Sequence, residues 1–244
     1  MSRLNKYLDI YDNEVVLPGT GKNVTITPVT TNKIKKLLLY ENENDPIKGE
    51  EILDKVILSS VKNDDFNIDD IFIQDKYFLF IELRKITKGR KFKFPYTCPN
   101  CGSQSLQSVN LDDLKIYQKK ASNDNIINLL NDKLKVTMKH LTRGEQKAAY
   151  KELENIENIN QKKVDMVLAT LAQSVEKIET EDGEDDYTLQ EKIDFFGNLP
   201  DEEYNKLNEW FENNKFGFDL NINVKCKECG NRENTIMELD NFFR

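Results

Sequence analysis

Near the start of the chain, apolar and polar positions alternate. Val24 and Ile26 interleave with Thr25 and Thr27, behind the pair Val15-Val16. A period of two marks a half-buried strand, and Pro18-Gly19-Thr20-Gly21 between the runs has turn chemistry. Residues 14–29 therefore predict a hairpin of two short strands. The period then lengthens to that of a helix. Thr31 or Asn32 caps a first helix through Leu37-Leu38-Leu39, and residues 51–61 place Ile52, Val56 and Ile57 on one face of a second. A third starts near Gln74 and carries Tyr77-Phe78-Leu79-Phe80-Ile81 to Arg84 and Ile86, with Gly89 as its stop. So dense an apolar run also suits a buried strand, but its length and Asp75 ahead of it favour a core helix. Phe78 and Phe80 are read as core.

Two strand-like passages follow, far apart. Phe92-Lys93-Phe94-Pro95-Tyr96 and Val109-Asn110-Leu111 flank one turn, and Leu220-Asn221-Ile222-Asn223-Val224 and Ile236-Met237-Glu238-Leu239 flank the other. Between them the pattern is mostly helical. Residues 111–120 lead to a polar turn at 121–125 and a short helix at 126–131, and residues 134–138 alternate as one strand. Thr142-Arg143-Gly144-Glu145 is a capping box opening a helix to about Ile156. A further helix over 160–178 carries an apolar stripe of Val164, Val167, Leu168, Leu171 and Val175, expected to pack on a neighbouring helix. Residues 179–186 read as a solvated acidic loop, since Gly183, Tyr187 and Thr188 break the ligand order of a calcium loop. Thr188 and Glu191 cap a helix ending near Phe195 and Phe196. Pro200 opens the last, which buries Tyr204, Leu207, Trp210 and Phe211 and stops at Lys215-Phe216-Gly217-Phe218.

The turns inside the two strand-like passages hold all four cysteines. One reads Cys98-Pro99-Asn100-Cys101-Gly102, the other Cys226-Lys227-Glu228-Cys229-Gly230. Each is a knuckle that puts two sulfurs on one side of a tight turn, and two knuckles supply the four sulfurs of a tetrahedral zinc site. A redox pair would need a thioredoxin-like surrounding, which neither has. Disulfides would need a secreted scaffold, and the N-terminal stretch does not read as a signal peptide. One structural Zn2+ on Cys98, Cys101, Cys226 and Cys229 is expected. Four thiolates saturate the ion and the single histidine, His140, lacks an orienting acid, so an enzyme is not expected. The usual separation of such pairs is roughly 15–20 residues; here residues 102–225 intervene. The resulting fold class is α+β: a four-cysteine zinc ribbon formed by two distant β-hairpins, with an N-terminal β-hairpin and helical region and a mainly helical insertion. The divisions fall at 1–89, at 90–111 with 218–244 for the two ribbon halves, and at 112–217 for the insertion.

Charge narrows the functional classes. A net charge of −8 and a sequence pI near 5.0 disfavour a general nucleic-acid binder. A basic cluster of Lys85, Lys88, Arg90, Lys91 and Lys93 precedes the first knuckle and reads as counter-charge for a zinc tetrathiolate. Gly19-Thr20-Gly21-Lys22 lacks the spacing of a phosphate loop. Paired acids such as Asp64-Asp65, Asp69-Asp70 and Asp112-Asp113 are ordinary in loops and at helix starts. No apolar run approaches the ~20 residues of a membrane span.

Taken in order, these features resemble a known family. Leu17-Pro18-Gly19-x-Gly21 precedes Thr30-Thr31-Asn32-Lys33 and a leucine-rich helix, and Asp75, Leu79 and Leu83-Arg84 lead into Tyr96-Thr97-Cys98-Pro99-Asn100-Cys101-Gly102. Val224-Lys225-Cys226-x-x-Cys229-Gly230 follows the insertion, and the chain closes on Asp240-Asn241-Phe242-Phe243. The whole resembles the T4-type bacteriophage baseplate hub protein family, with its Leu-Pro start, paired knuckles and terminal Phe-Phe. Two departures are Lys227-Glu228 where a proline usually follows the cysteine, and the extended acidic loop. The resemblance implies a structural or assembly protein of a contractile-tailed phage baseplate hub, without enzymatic activity. Its partners would be other baseplate hub and tail proteins, with room for an oligomer. It would be found in the host cytoplasm during assembly and in the virion tail baseplate. Phe242 and Phe243 are candidates for a partner anchor, or else close the ribbon against Tyr96 or Ile236. The alternative from another class is a nucleic-acid-binding zinc-ribbon accessory factor, which a steep salt dependence of binding would reveal.

Overall fold

The computed structural model describes residues 12–40, 45–120, 125–184, 186–237, 239, 242 and 243. The polar turn expected at 121–125 lies outside the described residues except for Asn125, as does Arg244. The N-terminal hairpin forms from β1 (Asn13–Val16) and β2 (Asn23–Ile26), antiparallel with Val15 opposite Val24. Its turn is tied to the body of the protein. The Asp75 carboxylate accepts the backbone N–H groups of Gly19 at 2.7 Å and Thr20 at 3.0 Å. Gly19 is obligatory for close approach: a Cβ there would lie 2.4 Å from the Phe216 ring and 2.7 Å from the Phe72 ring.

Three helices follow, α1 (Thr31–Tyr40), α2 (Pro46–Leu58) and α3 (Ile73–Lys88). Asp45 caps α2 by accepting from the Ile47 N–H, with Pro46 at the first turn where its missing N–H costs nothing. The dense apolar run settles as a helix, and α3 buries Phe78, Leu79, Phe80, Ile81 and Leu83 because it is covered on several sides. The N-terminal hairpin, α2 and the cysteine-bearing hairpins all contribute to the one core around it. Those hairpins are β3 (Lys91–Thr97) with β4 (Gln104–Asn110) and, late in the chain, a pair taken up below.

Residues 112–217 contain more sheet than the hydrophobic pattern suggests. A single 3-10 turn at Leu111–Asp113 leads to β5 (Ile116–Tyr117). Next come β6 (Ile126–Leu129), β7 (Leu134–Met138), α4 (Arg143–Tyr150), α5 (Ile159–Gln173), β8 (Val175–Thr180) and β9 (Gly183–Glu184). The four strands β6 to β9 form one antiparallel sheet in chain order. The expected short helix at 126–131 is thus the strand β6 and the start of a turn, because Ile126 and Ile127 pair with Thr137 and Val136 of β7. The helix expected to reach 178 ends at Gln173. Ser174 closes it by donating its N–H back to Leu171 and Thr170, and β-branched Val175 and Ile178 enter β8 to pair with β7. The acidic stretch at 179–186 includes the end of β8 and the return strand β9. Of the predicted stripe, Leu171 is buried, whereas Val164 and Val167 are 56% and 58% exposed.

The segment closes with α6 (Leu189–Gly197), α7 (Asp201–Asn213) and β10 (Gly217–Phe218), after which β11 (Asn221–Lys225) and β12 (Arg232–Ile236) make the second cysteine-bearing hairpin. Both expected capping boxes form, at Thr142 with Glu145 and at Thr188 with Glu191. A second core joins Leu129, Val136, Met138, Leu171, Phe196, Leu207 and Trp210, so α5, α6 and α7 cover the sheet. Several contacts hold this segment to the rest, among them the Arg143 N–H on the Ile71 carbonyl and the Lys162–Asp45 and Lys147–Asp69 ion pairs. Entry and exit strands pair, with Tyr117 opposite Gly217. In addition, buried Arg143 of α4 grips buried Asp54 of α2, with Nε 3.0 Å and Nη2 2.9 Å from Asp54 Oδ2. Its Nη1 donates to Gln146 Oε1 at 2.8 Å, and Gln146 Nε2 donates on to the Tyr150 hydroxyl.

Candidate metal centre

Each cysteine pair sits where a hairpin reverses. In the first, the Cys98 N–H donates to the Ser103 carbonyl and the Gly102 N–H to the Cys98 carbonyl. In the second, Cys226 and Gly230 repeat the pattern, with Asn231 as acceptor. The glycines are needed for the backbone: Gly102 and Gly230 have φ of 71° and 74°, in the left-handed region where a Cβ is disfavoured. Local sequence therefore builds each knuckle, and packing of the hairpins on α3 brings the two together. A further link, from Gln107 Nε2 to the Lys225 carbonyl at 3.2 Å, holds β4 beside β11.

The result is a cluster in which all four sulfurs lie within 4.8 Å of one another. Cys98 Sγ is 3.7 Å from Cys229 Sγ, and Cys101 Sγ is 3.7 Å from Cys226 Sγ. A tetrahedral ion with metal–sulfur bonds of about 2.3 Å requires sulfur–sulfur edges of about 3.8 Å. The donor set fits a metal ion, and the short edges cross between knuckles as a shared site demands. Cys98 and Cys226 are buried, while Cys101 and Cys229 face solvent.

Electrostatics favour thiolate in the second knuckle. The Cys229 backbone N–H and the Ser103 hydroxyl, aided by the Glu228 N–H, bring Cys226 down to about 6 despite desolvation. The Asn100 side chain and the Asn231 N–H lower Cys229. Asn100 and Ser103 are residues that the cysteine spacing alone did not single out. Their signal was positional, since both lie within the first knuckle's six-residue turn.

The basic cluster does not serve this site. Lys91 pairs with Asn110 at the hairpin end opposite the knuckle, about 20 Å away for six residues of strand. Lys85 instead meets Asp112 at 2.8 Å and Glu82 at 3.0 Å, and Arg90 meets Asp112 at 2.5 Å. Two of the five cations of the cluster are thus engaged by acids, and Lys91 and Lys93 face solvent.

Phe242 and Phe243 are 2% and 5% exposed. Phe242 packs edge-on against Phe92 at 4.7 Å between centroids, and Phe243 lies 5.1 Å from Phe80. Both rings belong to the core cluster that also holds Phe80, Phe92 and Tyr96. His140 is buried among Trp210, Phe216 and Phe72. Desolvation, with the Lys119 ammonium adding to it, lowers His140 to about 4, so the ring is neutral at pH 7. No nucleophile accompanies it among its described contacts.

No helix among the described residues is long and apolar enough to cross a membrane. Comparison with protein families matches the chain, over residues 10–244, to the family described as T4 bacteriophage base plate protein. Comparison with curated proteins and with solved structures gives no match.

Proposed function

This chain belongs to the T4 bacteriophage base plate protein family, and on that premise we propose that it is a subunit or assembly factor of the baseplate hub in a contractile-tailed phage. The family itself carries a structural or assembly role, contacts with other phage structural proteins and a place in the virion tail. The single observation behind the reading is that the match runs through both knuckles and the whole intervening segment, from residue 10 to 244. The chain acts through protein–protein contacts, first in the host cytoplasm and then in the tail, and catalyses no reaction.

Cys98, Cys101, Cys226 and Cys229 hold one structural Zn2+. Support comes from sulfur–sulfur edges of 3.7 Å between knuckles and from an all-thiolate donor set, which selects a soft or borderline ion. The ion would fasten two hairpins separated by more than a hundred positions. Residues 1–89 act as a base, 90–111 with 218–244 as the ribbon and 112–217 as an insertion; the pairing of β5 with β10 supports this division. The test is co-purification of the tagged chain with tail proteins from infected cells, followed by analysis of purified virions. Recovery with hub proteins is expected, and a chain that associates with no tail protein overturns the reading.

A further inference from the structure

The two knuckles share a backbone but not their side-chain chemistry. At the third and sixth positions the first carries Asn100 and Ser103, where the second carries Glu228 and Asn231. Asn100 Nδ2 lies 3.6 Å from Cys229 Sγ, across the gap between knuckles. Ser103 Oγ lies 3.3 Å from Cys226 Sγ, also across the gap, and 3.3 Å from Cys101 Sγ in its own turn.

We propose that Asn100 and Ser103 are the outer hydrogen-bond donors of the metal site, two positioning side chains by which the first knuckle holds the sulfurs of the second. The inference rests on the zinc reading above and adds residues to it. Once a metal is bound, the direction of these bonds is fixed. A thiolate has no proton to give, so the Asn100 amide and the Ser103 hydroxyl donate and the sulfurs accept. A carboxylate such as Glu228 could not substitute, because it only accepts at neutral pH.

Charge gives these donors their importance. Four thiolates around a divalent ion leave a formal −2. Lys91 and Lys93 stand about 20 and about 13 Å along the strand from the knuckle. Lys225 and Lys227 flank Cys226 but are exposed, where water screens them. Neutral N–H and O–H dipoles in direct contact with sulfur are therefore the groups placed to stabilise the bound thiolates. Partners of this kind change metal affinity by about 10–100-fold when removed.

The test is zinc affinity by chelator competition on the full chain, for Asn100→Ala, Ser103→Ala and the double variant. The double variant should bind at least about tenfold more weakly, while Ser103→Thr, which keeps the hydroxyl, stays within about twofold of the native chain. Cobalt substitution supplies a second readout: the sulfur-to-metal charge-transfer band should move in the double variant, which a purely structural role would not cause. Asn100 is exposed and Ser103 only half-buried, so the single variants keep the measurement interpretable if the double folds poorly. A double variant that binds zinc like the native chain, with an unmoved cobalt band, overturns the proposal alone. So does an equal loss on Lys91→Gln with Lys93→Gln, which would restore the lysines as counter-charge. A native chain that binds no zinc overturns the metal reading and this inference together.

Discussion

Arg84 Nε donates to the carbonyl oxygen of Phe242 across 2.7 Å, joining the middle of α3 to the end of the chain. The same guanidinium reaches the Gly89 carbonyl at 2.5 Å and lies 5.9 Å from the Phe92 ring. One side chain thus orders the α3 terminus, the start of β3 and the C-terminal aromatics.

Phe242→Ala should therefore behave as a core truncation, lowering stability by about 3–5 kcal/mol. Urea unfolding checks this. A loss under about 1 kcal/mol would mean that the ring is not packed as described, and would reopen its role as a partner anchor.

Arg143 and Asp54 yield a second prediction. Arg143→Met leaves buried Asp54 with only the longer contacts to Lys147 at 3.5 Å and Lys76 at 3.8 Å, so it should cost up to about 3–5 kcal/mol. Arg143→Met combined with Asp54→Leu should recover part of that loss, since the poorly paired carboxylate is gone and Lys76 and Lys147 keep Glu50 and Asp69 as partners. The double-mutant cycle, read by denaturant midpoint, distinguishes coupling from simple additivity.

These two contacts mark what was and was not legible in the sequence. Local signals translated well: the Thr142 and Thr188 capping boxes and the knuckles have their chemistry within six residues, whereas the demand on Gly19 comes from distant Asp75 and Phe216. The Asp54–Arg143 and Arg84–Phe242 pairs join positions 89 and 158 apart, and no periodicity announces such a partner. The missed strands have the same origin. Residues 126–129 are a short apolar run and 175–180 a mixed one with Val175 and Ile178 as its apolar members, and the character of both is decided by β7 lying between them. Tertiary pairing overrode the helical pattern there, whereas α3 kept its helix because its length exceeds that of an ordinary strand.

The metal prediction concerns folding. Chelation of zinc, or Cys226→Ser, should lower the metal content and the unfolding midpoint together, because binding energy is part of the folding energy of a site absent from the unfolded chain. Elemental analysis of reduced, freshly purified protein should find one zinc per chain. Absence of metal with unchanged stability would remove zinc from the account.

His140 sets a pH dependence whose sign can be worked out. Its folded value, about 4, lies below the unfolded value of 6.5, so the unfolded chain binds the extra proton between these limits. Its contribution is constant above about pH 6.5 and stability is lost as pH falls from there toward 4. His140→Phe should flatten this part of the stability profile relative to the native chain. An identical slope in both proteins would show that the ring titrates normally.

Gly19→Ala tests the hairpin's seat. The added methyl would meet Phe216, Phe72 and an Asp75 oxygen at 2.4, 2.7 and 2.8 Å. Overpacking of this kind costs about 1–3 kcal/mol. Amide exchange should accelerate at residues 19 and 20, whose N–H groups Asp75 holds, and unaltered protection there would contradict the contact.

The attachment of residues 112–217 at several places has a mechanical consequence. A body joined only through the β5–β10 neck could swivel about two strands of two residues each. The Arg143–Asp54 grip from α4 onto α2 is one of several further fixing points, beside the Lys162–Asp45 and Lys147–Asp69 pairs and the Arg143 N–H on the Ile71 carbonyl. Torque applied to α6 or α7 is then passed into α2, α3 and the ribbon instead of being dissipated in a hinge. A part built this way transmits load through its core instead of yielding at a hinge.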